Sequence, residues 1–111
     1  MKSGSILELS ATDLSPLIPA REPAPAEGMA AHLAQVAAAN PGVNAIVSAR
    51  DPDVLMAEAR AMDDAEPKGW LHGIPLAVKD LVATAGLRTT WGAPLYADHV
   101  PAKDDILAAR M

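Results

Sequence analysis

Helical and strand-like patterns alternate along the sequence. Between Glu27 and Ala39 the residues Met29, Leu33 and Val36 recur at helical spacing, and Asn40-Pro41-Gly42 supplies the stop. Asp51 followed by Pro52 is a helix start, an N-cap with proline at the first helical position, and Leu55, Ala59 and Met62 share one face behind it as far as about Met62. Two short strand-like runs flank that helix, 44–48 and 74–80. In the second, Ile74, Leu76 and Val78 fall on one face and Ala77 and Lys79 on the other, so the lysine has a small apolar neighbour and no carboxylate beside it. The expected organisation is one domain over 1–111, with a helical or irregular region at 10–40 and a strand-helix-strand segment at 41–111.

The remaining elements are read from their punctuation. Ser10 to Leu14 begins like a capped helix, but Pro16, Pro19, Pro23 and Pro25 follow, and an interior proline costs a helix about 3 kcal/mol. One short turn or an irregular stretch is expected there. Residues 63–69, Asp-Asp-Ala-Glu-Pro-Lys-Gly, read as a polar loop whose acids are solvated and hold no metal. A turn is expected at Gly86, a short strand or loop at 88–92, and a helix opened by Asp104-Asp105 that passes through Ile106, Leu107 and Arg110.

Composition narrows the partners. A net charge of −5 without clustered bases argues against nucleic acid and anionic membrane surfaces. The absence of cysteine excludes a disulfide framework, a thiol nucleophile and a cysteine-type zinc site. Met1-Lys2-Ser3-Gly4 has the look of a leader, but Glu8 and Asp13 interrupt any apolar stretch behind it, so a cytoplasmic protein without a membrane segment is expected. Alanine contributes 24 residues, as many as leucine, isoleucine and valine together, and phenylalanine is absent, which predicts a thin core that leans on further structure.

Gly73-Ile74-Pro75, Ala77-Val78-Lys79-Asp80, Thr84-Ala85-Gly86, Thr89-Thr90 with Gly92, and His99-Val100-Pro101 follow one another in an order that resembles the amidase signature family. The resemblance runs from about Ile6 to Met111 and is most specific between Trp70 and Pro101. It implies an α/β fold, a mixed, mostly buried sheet covered by helices on both faces, of which this chain holds the N-terminal part. It also implies amide hydrolysis through a Ser-cisSer-Lys triad, with Lys79 at the position of the catalytic lysine and no metal or organic cofactor. The family's two serines lie downstream of the lysine, and no serine follows Lys79 here. The chain is therefore expected to be cut before the Gly/Ser-rich loop and to be inactive alone. Two other readings remain: part of the glutaminase subunit of a tRNA-dependent amidotransferase, or a split or degenerate assembly module without activity. The expected partner of the complete enzyme is a small-molecule amide, and the piece alone is expected to self-associate through open strand edges.

The chemistry explains why a lysine here is singled out. A free lysine titrates near ~10.4, whereas a general base works best at about 7–8, and an apolar segment is one way to close that gap. Asp80, on the opposite face of a strand, is expected to make a local structural hydrogen bond and to take no catalytic part. His32, His72 and His99 fit no metal or dyad spacing and are expected to be structural. Ala93 stands where the family commonly has serine, at the cost of one turn hydrogen bond. Trp70 and Trp91 are candidates equally for core and for a substrate cleft.

Overall fold

Each helix starts at a residue that satisfies or dispenses with a free backbone N–H. The computed structural model describes residues 6–111, so the leader-like Met1-Lys2-Ser3-Gly4 lies outside the described residues. Helix α1, Ala11–Leu14, is a single turn closed by a reciprocal capping box: the Asp13 N–H donates to Ser10 Oγ at 3.2 Å, and the Ser10 N–H donates back to Asp13 Oδ2 at 3.2 Å. Helix α2 spans Pro25–Val43 and helix α3 spans Pro52–Asp63, each with proline in its first turn. Asp51 caps α3 by accepting from the Asp53 N–H at 2.7 Å. Helix α4, Ile106–Arg110, is capped by Asp105, whose carboxylate accepts from the Leu107 N–H at 3.0 Å. Short 3₁₀ turns occupy Ile18–Ala20 and Pro94–Tyr96.

Helix α2 is longer than its sequence pattern at both ends. Pro25 belongs to the proline series expected to interrupt helices, yet at the first position its missing N–H costs nothing. Pro41 sits inside the last turn, and the helix closes two residues beyond Pro41 with Asn44 in the left-handed region at φ 48°, its N–H donating to Asn40 O at 2.7 Å.

The described residues contain no β-strand. The two expected strands, 44–48 and 74–80, are therefore not formed as strands among the described residues. Residues 44–48 are exposed or half-buried, and the 74–79 run has no ladder. The two-face alternation is not expressed in burial either, since Leu76, Ala77, Val78 and Lys79 are all exposed. The physical reason is that alternation marks a segment as fit for a sheet, while the ladder needs an adjacent strand to accept and donate.

The chain divides into two compact units. The first comprises the described part of Met1–Asn44 together with Asp51–Pro75. Here α2 and α3 pack on each other, and the buried positions they contribute are small, Gly28 and Ala31 on α2 and Ala59 on α3. Ile6, Leu14, Ile18, Pro23 and Pro25 complete its buried set. The core that forms is thin, and the rings of Pro23 and Pro25 are buried in it. The second unit comprises Ala45–Arg50 and Leu76–Met111. It is held by backbone bonds between loops: the Gly86 N–H to Pro101 O at 3.0 Å, the Thr89 N–H to His99 O at 3.0 Å and the Asp105 N–H to Ala83 O at 2.8 Å. The Arg88 guanidinium ties 45–50 into it by donating to Val47 O at 2.5 Å.

Gly73, the first residue of the lysine motif, has a structural reason to be glycine. Its φ is +74°, and a Cβ there would lie 2.6 Å from Pro25 Cγ and 3.3 Å from Ile18 Cγ2, both on buried residues. Gly73→Ala is expected to destabilise the chain by about 2–4 kcal/mol, combining left-handed strain with overpacking against a rigid ring. Urea unfolding followed by tryptophan fluorescence checks this, and an unchanged midpoint would contradict it.

Candidate functional site

Lys79 ends the unpaired 74–79 run and begins a turn, in which the Val82 N–H donates to Lys79 O at 2.9 Å. Its side chain is exposed and makes no hydrogen bond or ion pair among the described residues. What surrounds it is a set of bonds that fix the turn. Asp80 Oδ1 accepts from the Thr90 N–H at 2.8 Å, and Asp80 Oδ2 accepts from the Thr90 hydroxyl. The Trp91 N–H donates to Asp80 O at 3.1 Å, and the Trp91 indole N–H donates to Leu81 O at 3.2 Å. Residues 80 and 81 are thus held from the 90–91 segment through both side chain and main chain.

Asp80 takes the local structural role expected of it. The Thr90 hydroxyl, then the Thr90 N–H, hold its carboxyl below the usual carboxylate value of 3.8, with smaller pulls from the Gly92 N–H and the Arg88 guanidinium working against partial burial. A carboxyl lowered in the folded state stabilises fully above its unfolded value, and that contribution fades as the pH falls through the folded value. In Thr90→Val the Asp80 carboxyl is expected to titrate closer to 3.8, read from its side-chain carbon shift by NMR. An unmoved titration would show that the hydroxyl does not hold it.

The 90–93 loop makes these contacts at a conformational cost. Trp91 stands in the left-handed region at φ 51°, followed by Gly92 at φ 70°. Thr90 Oγ1 accepts from the Gly92 N–H at 3.1 Å while donating to Asp80, and the Ala93 N–H closes on Thr90 O at 3.0 Å. The turn therefore closes on Thr90 with alanine at position 93. Trp91 also packs edge-on against Tyr96, centroids 4.9 Å apart, and stacks on His99 at 5.0 Å. Neither tryptophan is core: Trp70 is 64 % exposed and Trp91 38 %.

The two histidines of the first unit each lie near a main-chain carbonyl. His32 Nδ1 lies 2.8 Å from Gly28 O within α2, and His72 Nε2 lies 3.4 Å from Met62 O. Among the described residues no group of three or more His, Asp or Glu is arranged to hold a metal ion. The acidic loop at 63–69 serves the first unit, since Asp63 accepts from the Ala26 N–H at 2.9 Å and Asp64 pairs with Arg21 at 2.6 Å. A polar cleft of about 290 Å³ opens beside that pair, lined in part by Ile18, Met62 and His72, and Lys79 is not among its lining residues. Among the described residues no helix is long and apolar enough to cross a membrane.

Lys79 was legible as the candidate catalytic residue and Asp80 as its structural neighbour, whereas Thr90 and Trp91 as anchors of the lysine turn were not. The only trace in the sequence was Thr89-Thr90 and Gly92 recurring with the motif, without an indication of what they bind.

A family model described as Amidase matches residues 27–111. The chain is 36 % identical over 103 residues to the glutamyl-tRNA(Gln) amidotransferase A-subunit of Acidothermus cellulolyticus, covering 89 % of this chain and 20 % of that protein. It is 34 % identical over 106 residues to an acylamidase of Rhodococcus erythropolis, covering 93 % of this chain and 22 % of the relative. The corresponding amidotransferase protein of Oleidesulfovibrio alaskensis is 37 % identical over 87 residues, 77 % of this chain and 18 % of the other. The chain spans about a fifth of the length of these curated relatives. No solved structure matches it. With the family model covering 27–111, the lysine motif included, the chain belongs to the amidase family.

Proposed function

We propose that Lys79 is the general base of an amide-hydrolysing site whose two serines are supplied by residues outside these 111. The observation that carries the reading is the lysine motif at 73–80 inside the family match, with an exposed, unpartnered amine on a turn that other residues hold still. The neutral Lys79 amine takes the proton of the cis-serine hydroxyl, and that serine takes the proton of the nucleophilic serine. The nucleophile adds to the amide carbonyl, the amine leaves with a proton, and water hydrolyses the acyl-enzyme. In the same reading, residues 44–48 and 74–80 become strands of a mixed sheet once neighbouring strands pair with them, and that cover dries the lysine.

The isolated 111-residue chain is then expected to show no amide hydrolysis above buffer, and the same chain extended by a serine-bearing segment of an amidase relative is expected to turn amides over. Turnover by the highly purified isolated chain that disappears in Lys79→Ala would overturn the reading.

A second reading is favoured by the relatives named as glutamyl-tRNA(Gln) amidotransferase components. In it the amide is glutamine, and the site supplies ammonia to a partner protein. Glutamine hydrolysis by the extended chain, with little activity on aliphatic or aryl amides, distinguishes it from the first.

A further inference from the structure

The residue next to the proposed base is an acid, and the structure keeps the two apart. A free carboxylate beside Lys79 would favour the charged ammonium and occupy it in an ion pair, both of which oppose a base that must be neutral to accept a proton. Both Asp80 oxygens are instead taken by one residue, Oδ1 by the Thr90 N–H at 2.8 Å and Oδ2 by the Thr90 hydroxyl. The Trp91 N–H on Asp80 O and the indole N–H on Leu81 O fix the main chain so that the carboxylate stays turned to that loop. Arg88 is the other charged group that acts on Asp80, and its guanidinium is committed to Ala97 O at 3.0 Å and Val47 O at 2.5 Å. Lys79 is left with no partner among the described residues.

We propose that Thr90 is a positioning residue that sequesters the Asp80 carboxylate and so leaves the Lys79 amine unpaired and reactive. The proposal rests on the reading of Lys79 as the base, but it concerns the state of the amine and not turnover, so each can fail without the other.

The test is competitive acetylation of the 111-residue chain, with the Lys79/Lys103 labelling ratio read by mass spectrometry across a pH series at the lowest workable concentration. Thr90→Val, which frees one carboxylate oxygen, is expected to slow Lys79 by about two- to fivefold relative to Lys103, the range of an exposed ion pair. Thr90→Ser is expected to keep the original ratio, and Thr90→Val combined with Asp80→Asn to restore it, because no carboxylate is then present to pair. A ratio unchanged in Thr90→Val, or still lowered in the double variant, would overturn the proposal. Asp80→Asn alone keeps an acceptor for Thr90 and guards against misfolding of Thr90→Val. It is expected to leave the ratio within about twofold of the original, and a larger acceleration of Lys79 would mean that the carboxylate already acts on it, which also overturns the proposal.

Discussion

Replacing Lys79 with alanine, in a protein where these residues are followed by a segment that supplies the two serines, is expected to lower kcat for amide hydrolysis by about 10²–10⁴-fold. The variant removes the group that takes the serine proton, so the loss falls on the chemical step and KM changes little. The fold is expected to survive, for a reason visible in the structure: the Lys79 side chain is exposed and bonded to nothing among the described residues. The turn it stands on is closed by main-chain atoms and by Asp80, Thr90 and Trp91, none of which the substitution touches. Steady-state kinetics with near-UV circular dichroism as a fold control checks this.

The second large effect concerns the isolated chain, which is expected to self-associate. Among the described residues the buried hydrophobic ones are Ile6, Leu14, Ile18, Ala31 and Ala59, while Leu95 is 84 % exposed, and Val43, Ile106 and Leu81 are each more than half exposed. Apolar surface on that scale is covered in stable soluble folds. The backbone adds to the effect, because the N–H groups of Leu76, Ala77, Val78 and Lys79 donate to nothing among the described residues and offer an unpaired edge. Size-exclusion chromatography with light scattering should show a mass that rises with concentration. A sharp monomer with strong near-UV dichroism from Trp70 and Trp91 would contradict it.

The helices were legible because their signals are local. Ser10 with Asp13, Asp51 with Pro52, and Asp105 each satisfy or spare N–H groups within a few residues, so reading the sequence there is reading the structure. Proline misled only where position decides its effect: Pro25 starts α2, and Pro41 sits in its last turn. The strand readings have no ladder among the described residues for the opposite reason. The alternation from Ile74 to Lys79 describes side chains, whereas a strand is defined by a neighbour, and no local pattern carries the neighbour. The candidate site divides in the same way. Lys79 and the structural part played by Asp80 were visible in the motif, but the grip of Thr90 and Trp91 on the lysine turn bridges ten residues and depends on Trp91 adopting φ 51°, which its side chain does not advertise.

The central claim, that Lys79 activates a serine supplied by further residues of the family, is tested most directly by labelling that serine. The extended protein is treated with a fluorophosphonate, which reacts with an activated serine whatever amide the enzyme prefers, and the adduct is located by mass spectrometry. Labelling of one serine in the original sequence, and its loss in a Lys79→Ala variant that keeps its near-UV dichroism, is the predicted result. Equal labelling of the two folded proteins would contradict the account.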